Sequence, residues 1–265
     1  MPELPDVAVY RKLLDATSLQ RTIEQVSFSD SRILRGVSVR KFSDLLKGNR
    51  FERSLQHGKN LLVELSGGSP HVWLHFGMTG ALHFLEKHEK EPAYTRCVFT
   101  FSGGDRLAVI DQRLLGKIGV VESPESFSRE KGLGPHALGE EMNAERFIRI
   151  LSGRKGMIKT ALMNQSVIAG IGNIYADEIL YQASIHPESD VRRLDEATLR
   201  DLHTVMKRVL RTAVEKGADA EKLPRDFLMP NRRAGTKCPR CRGSIEKIRV
   251  HGRGTYLCPR CQKRE

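Results

Sequence analysis

Four of the five cysteines stand as Cys238-x2-Cys241, sixteen further residues, then Cys258-x2-Cys261. This is the spacing of a tetrahedral structural zinc site carried on two knuckles. Two disulfides or a redox-active pair compete for the same residues. Neither is expected, since nothing near residue 1 reads as a signal peptide, Val7 to Leu14 being interrupted by Tyr10, Arg11 and Lys12, and neither Cys pair has a thioredoxin-like βαβ context. One structural Zn²⁺ is therefore expected, in a small module that depends on the metal for folding. Cys97, inside Cys97-Val98-Phe99, reads as a buried strand thiol, and none of the nine histidines has ligand spacing to another.

Charge narrows the class of partner. The chain carries a formal net charge of +12, and residues 231–265 hold eleven Lys/Arg against two Glu, a local +9. Four thiolates and one Zn²⁺ lower that to about +7. Such a surface seeks a polyanion. The basic segment contains no amphipathic helix and no apolar run approaches a membrane span, so nucleic acid is favoured over a membrane surface. A cytoplasmic protein is expected, associated with the nucleoid when bound to DNA.

The opposite terminus suggests chemistry. The chain opens Met1-Pro2-Glu3-Leu4-Pro5-Asp6, and an initiator Met before proline is normally removed, leaving Pro2 as a secondary amine. An α-amino group titrates near pH 8, well below lysine. Part of it is unprotonated at neutral pH, and condensation with a sugar carbon would give an iminium. Glu3 is the adjacent acid or base. The plainer reading is that Pro-Glu-Leu-Pro is only a rigid lead-in to a helix.

At 265 residues the chain suits about two domains and a small module. Asp6 to Ala16 has helical spacing. From Arg21 to Glu122 short strand-like runs follow, at Thr22–Phe28, Asn60–Leu65, His71–His75, Ala81–Leu85, Cys97–Phe101, Leu107–Asp111 and Lys117–Val121, punctuated by Gly-Gly pairs at 67/68 and 103/104. That spacing predicts a β-sandwich. Glu122 to Gly139 reads as a linker. Beyond it the period is helical at Ala144–Leu151, Met157–Asn164, Asn173–Ala183 and Ala197–Lys216. The expected fold class is α+β multidomain: an N-terminal β-sandwich with a leading helix over 1–127, linker and helical domain over 128–230, and a four-cysteine zinc finger over 231–265.

Asn164 to Glu178 reads NQSVIAGIGNIYADE, a helix end, a Gly-Ile-Gly turn and a new helix opening at Asn173. Glycines allow close backbone approach, and the free N–H groups of the new helix favour an anion such as a DNA phosphate. A tight corner between helices is the alternative.

Taken together, Pro2-Glu3-Leu4-Pro5, Gly58-Lys59, His75-Phe-Gly-Met78-Thr-Gly80, Asp111 to Gly116, the NQSVIAGIGNIYADE segment, Gly252-Arg253-Gly-Thr-Tyr and the four cysteines closely resemble the formamidopyrimidine-DNA glycosylase and endonuclease VIII family, in order over essentially the whole chain. The resemblance implies a bifunctional enzyme of base excision repair. Such an enzyme flips out an oxidised base, cuts the glycosidic bond and nicks the abasic product by β,δ-elimination. It also implies a helix-two-turn-helix motif, a zinc finger and a substrate of double-stranded DNA containing oxidised bases or abasic sites, with the protein acting as a monomer and needing no organic cofactor.

By matching position, Pro2 resembles the Schiff-base nucleophile and Glu3 the general acid of ring opening. Lys59 resembles a strand lysine that contacts phosphate and assists β-elimination, and Arg253 the zinc-finger arginine that assists δ-elimination. Asn173, Arg96 and Lys155 resemble DNA-contacting residues, although Arg96 stands where the family usually has His. Met78, Arg113 and Leu115 resemble the residues that fill the void left by the flipped base. Asp6 and Glu178 resemble supporting carboxylates, with Glu178 expected to be buried and bonded near the N-terminus. The competing readings are a non-catalytic damage-binding protein of the same fold and a zinc-ribbon RNA-binding protein.

Two departures bear on substrate choice. Leu115 stands where the family commonly has a Phe wedge, and it cannot stack on bases as Phe would. Asp219 to Lys237 is short and interrupted by Pro224 and Pro230, where family members acting mainly on 8-oxoguanine tend to carry a flexible capping loop. Met78 resembles the purine-specific branch and pulls the other way. The net expectation is relaxed or weak 8-oxoguanine activity, with formamidopyrimidines, hydantoins and oxidised pyrimidines comparable or better.

Overall fold

The computed structural model describes residues 1–68 and 70–263. The chain forms two compact units: one contains Met1–Pro2 and Asp6–Gly132, the other Glu3–Pro5 and the residues from Leu133 onward. Helix α1 (Leu4–Thr17) starts in the second unit and continues in the first.

The first unit is a β-sandwich. Its strands are β1 (Ile23–Phe28), β2 (Leu34–Arg35), β3 (Phe51–His57), β4 (Asn60–Leu65), β5 (His71–His75), β6 (Ala81–Leu85), β7 (Thr95–Phe101), β8 (Arg106–Ile110) and β9 (Lys117–Val121), with helix α2 (Val39–Leu46) between β2 and β3. One sheet runs β1-β7-β8-β6 and the other β2-β9-β5-β4-β3. Leu61, Val63 and Leu65 alternate along β4 toward the same core as Val26, Phe99, Leu107 and Val109 of the other sheet, as the two-residue period of a strand requires. Phe51 packs on Phe99 and Phe101 at ring distances of 5.5 and 5.9 Å.

Two helices in this unit depart from the sequence reading. Ser38 caps α2, which buries Phe42 and Leu46 one turn apart; a helix this short shows too few repeats for its period to stand out. The segment read as a linker contains helix α3 (Pro124–Glu130), opened by a Ser123–Ser126 capping box with proline in its first turn. Ser-Pro here starts a helix, as proline at N1 allows. Phe127 is buried against Trp73 with ring centroids 5.1 Å apart, which covers the outer face of the five-stranded sheet.

The second unit is helical: α4 (Ala144–Leu151), α5 (Ile158–Met163), α6 (Asn173–Gln182) and α7 (Glu196–Glu215). They enclose one core that includes Phe147, Leu162, Ile171, Tyr175, Leu180, Leu202 and Met206. Strands β10 (Glu246–Val250) and β11 (Arg253–Leu257) form a hairpin next to the cysteines. A smaller core of Tyr181, Leu228, Cys238, Ile245 and Cys258 sits under it.

Candidate active site

The Gly-Ile-Gly turn is a socket for the chain's own N-terminus. The Glu3 carboxylate accepts the backbone N–H groups of Gly172 at 2.8 Å, Ile174 at 2.9 Å and Tyr175 at 3.2 Å. These are the donors that a helix N-terminus leaves unmatched. The anion that the free N–H groups were expected to attract is thus Glu3, in place of a phosphate. Both glycines are needed for the fit. A Cβ on Gly172 would lie 2.4 Å from Glu3 Cδ, and one on Gly170, where φ is +119°, would lie 2.6 Å from Leu4 Cδ1. The Leu4 N–H donates to Gly170 O at 3.0 Å.

Beside the socket, α5 and α6 grip the zinc hairpin. Asn173 Nδ2 donates to Gly254 O at 3.0 Å, so this residue binds the strand that carries Arg253. Its Oδ1 is buried with no hydrogen-bond partner. Lys159 is 1 % exposed and pairs with Asp177 at 2.7 Å; Arg232 reaches the other Asp177 oxygen, also at 2.7 Å. Burial pushes the Lys159 ammonium pKa down while Asp177 works against that shift. Arg253 is exposed at the start of β11, and Lys155 is exposed between α4 and α5.

Glu178 is buried as expected but is bonded elsewhere. It accepts N–H groups from Leu228 at 3.1 Å, Met229 at 2.8 Å and Gln182 Nε2 at 3.0 Å. Burial pushes its carboxyl up to about 7 against the pull of these donors. In the helix it sits five residues past Asn173, so it faces the segment before the zinc finger and clamps the short turn Met229–Asn231.

The four cysteine sulfurs lie within 4.8 Å of one another. Tetrahedral Zn–S bonds of about 2.3 Å put neighbouring sulfurs about 3.8 Å apart. Cys238 and Cys261 are at 3.8 Å and Cys241 and Cys258 at 3.4 Å, so the set fits one structural Zn²⁺. The Tyr181 hydroxyl lies 3.1 Å from Cys238 Sγ, and Gly243 N–H points at Cys241 Sγ at 3.4 Å.

In the first unit, Lys59 lies in the two-residue turn joining β3 to β4, one residue outside the strand in which it was expected. Gly58 closes that turn with φ +59°. Met78 and Leu115 are exposed by 42 % and 44 %, far more than core residues of their size. Arg113 Nη1 lies 3.5 Å from Met78 Sδ, which brings two of the expected void-filling residues together. Asp6 is half-buried and its charge, after burial, helps push the Tyr10 phenol up to about 12. Arg96 donates to Asp111 O at 2.8 Å and sits over the Tyr94 ring at 5.7 Å.

Two residues outside the expected set hold this loop. Asp111 is 1 % exposed and accepts Thr79 Oγ1 at 2.7 Å, Arg113 N at 3.2 Å and Gly116 N at 2.6 Å. His75 Nδ1 accepts the Gly77 N–H at 3.1 Å. Burial, then Lys117 and Lys59, push the His75 imidazole down to about 4, so it is neutral at pH 7. Gly77, at φ +56°, allows a contact with Leu115 that a Cβ would block at 2.4 Å. Asp111 at the head of the Asp111–Gly116 motif was the one available signal for this role.

Comparison with known proteins agrees with this layout. Residues 1–118 match the formamidopyrimidine-DNA glycosylase N-terminal domain, residues 133–224 the formamidopyrimidine-DNA glycosylase H2TH domain, and residues 235–264 the zinc finger found in FPG and IleRS. A formamidopyrimidine-DNA glycosylase of Heliobacterium modesticaldum is 36 % identical, covering 99 % of this chain and 100 % of that protein. One of Arabidopsis thaliana is 32 % identical, over 99 % of this chain and 71 % of that protein. The crystal structure of a Lactococcus lactis FPG mutant in complex with Fapy-dG-containing DNA superposes with a TM-score of 0.89 at 28 % identity, covering 99 % of this chain and 100 % of that one. On these matches, the chain belongs to the formamidopyrimidine-DNA glycosylase family.

Proposed function

We propose that this chain is a bifunctional DNA glycosylase and abasic-site lyase of base excision repair that works through an N-terminal proline Schiff base. The observation that carries the reading is the Glu3 carboxylate, held by three backbone N–H groups in the residue next to Pro2. A carboxylate fixed this way needs no search for its working position. With Met1 removed, the Pro2 nitrogen bonds to C1′ as the glycosidic bond breaks and the base departs. Glu3 takes the N–H proton that the Pro2 amine loses on bonding to C1′ and delivers it to the ring oxygen as the sugar opens to an iminium. Loss of the C2′ proton expels the 3′ phosphate, and loss of the C4′ proton expels the 5′ phosphate. Lys59 serves the first elimination and Arg253 the second.

The remaining site residues hold DNA. Met78, Arg113 and Leu115 occupy the space of the extruded base, and Lys155, Asn173 and Arg96 line the path of the backbone. Asp6 and Glu178 are the supporting carboxylates, Glu178 through the Met229 turn that it clamps. Zinc supplies the fold of the hairpin that carries Arg253. The protein acts as a monomer in the cytoplasm, on the nucleoid. Among the described residues no helix is long and apolar enough to cross a membrane. The domains are those read from the sequence, 1–127, 128–230 and 231–265, with the first carried on to Gly132 so that α3 stays whole.

Borohydride reduction tests the reading, because it converts an iminium to a stable amine and leaves protein covalently attached to an abasic duplex. The expected result is an adduct through Pro2. Its absence from protein confirmed to begin at Pro2 would leave only a DNA-binding function, and an adduct that survives replacement of Pro2 would assign the nucleophile to another amine.

A further inference from the structure

Arg253 follows a two-residue turn at the tip of a two-stranded hairpin, in which His251 and Gly252 both have positive φ. A lone hairpin is marginally stable. The cysteines anchor one end of β11, beyond Leu257, and Arg253 is at the other end. The three residues after Arg253 are nevertheless each held from outside the hairpin. Gly254 O accepts from Asn173 Nδ2 at 3.0 Å, Thr255 Oγ1 accepts from Lys159 Nζ at 2.6 Å, and the Tyr256 N–H donates to Asp177 Oδ2 at 3.1 Å.

Asp177 is the centre of this clamp. Its side chain is fully buried, it pairs with Lys159 at 2.7 Å, and it binds Arg232, whose guanidinium lies 4.5 Å over the Tyr256 ring. A buried cation pair of this kind depends on its carboxylate, since removing one partner strands charge in a low-dielectric interior. Thr255 is completely buried, so its hydroxyl has no solvent to replace Lys159.

We propose that Asp177, acting with Lys159 through Thr255, is a positioning residue for Arg253. The inference rests on the role given to Arg253 under Proposed function. The pair fixes the backbone from which Arg253 projects, at the end of the strand that zinc does not reach. It governs how far the second elimination proceeds relative to the first, and it leaves the Pro2 adduct in place.

The full zinc-loaded chain is used in the variants Asp177→Asn, Thr255→Val, Thr255→Ser and Arg253→Gln, with an abasic duplex as substrate. Zinc content, borohydride trapping and the ratio of δ- to β-elimination product are measured. Asp177→Asn and Thr255→Val are expected to trap normally and to lower the product ratio on the order of tenfold, as a small misplacement of a catalytic group does. Thr255→Ser, which keeps the hydroxyl, is expected to restore the ratio. Should Asp177→Asn shed zinc, Thr255→Val decides, because it strands no charge. An unchanged ratio in Thr255→Val beside a collapsed ratio in Arg253→Gln overturns the inference alone. An unchanged ratio in Arg253→Gln overturns the role of Arg253 itself, and the inference with it.

Discussion

Glu3 Oε2 and the Gly172 N–H are 2.8 Å apart across 169 residues of sequence, and Gly172 has no room for a side chain beside that carboxylate. Gly172→Ala is therefore expected to push Glu3 out of its socket. Single-turnover base excision and borohydride trapping should fall on the order of 100-fold. Zinc content should be unchanged. Excision within about twofold of the unmodified protein, a few tenths of a kcal/mol on the barrier, would mean that the fixed position of Glu3 is irrelevant to the slow step.

Retention of Met1, or any N-terminal tag, converts Pro2 from an amine to an amide. Excision and trapping should vanish while duplex affinity, which rests on side chains elsewhere, persists. Electrophoretic mobility shift and trapping on the same preparation check both halves. Full excision by tagged protein would remove Pro2 from the chemistry.

Metal loss should act in the opposite sense. Chelation, or Cys258→Ser, is expected to unfold the hairpin and abolish most duplex affinity, because four sulfurs and a handful of apolar residues make up its core. The first unit has its own core, and Trp73, the only tryptophan, belongs to that unit. Its fluorescence should therefore stay native as binding disappears. Unchanged binding after confirmed metal release would make the finger dispensable.

His75 supplies a pH test. Its imidazole is held at about 4 in the folded protein, below the ordinary value near 6.5. Protonation thus favours the unfolded chain. The stability contributed by the neutral ring is whole above about pH 6.5 and is lost as pH falls toward 4. Denaturant unfolding followed through Trp73 should show about 2 kcal/mol lost between pH 7 and pH 5, in excess of the loss seen in His75→Gln. Equal losses in the two proteins would show that His75 is not the titrating group.

Lesion choice is read from Leu115 and from the segment before the finger. Leu223, Phe227 and Leu228 are buried there, and Glu178 clamps the turn, so the stretch is packed rather than looped out. Excision across duplexes carrying one 8-oxoguanine, formamidopyrimidine, hydantoin or oxidised pyrimidine opposite C, A or G should show no dominance of 8-oxoguanine. A strong preference for 8-oxoguanine opposite C over all others would give the discrimination to Met78 and the pocket.

Much of this was legible in the sequence because the signals were local. Strand runs bounded by Gly-Gly, the apolar stripe of α7 and the cysteine spacing each report on neighbours a few residues away. Helices α2 and α3 escaped because two buried residues, or one, are too few to establish a period. The partners of Glu3 and Glu178 escaped for a different reason. Nothing near Glu3 says that its carboxylate fills the anion site of a turn near residue 172, and an empty anion site and a filled one have the same glycines. Glu178 follows Asn173 by five residues, and which way it faces was settled only by the packing of α6.

The separation of Glu3 from its socket also sets an order in time. The residues that would form the iminium leave the ribosome first, but the turn that holds Glu3 follows 169 residues later, roughly 10–30 s at ordinary elongation rates. The sandwich can be complete well before then, since among the described residues its core draws on none beyond Val120. On the proposed chemistry, a nascent or truncated chain that stops short of α6 would carry the Pro2 amine beside an unseated Glu3. In that chemistry the acid beside the nucleophile is seated only when synthesis is about two-thirds done, which ties base excision to the arrival of the second unit's first helices.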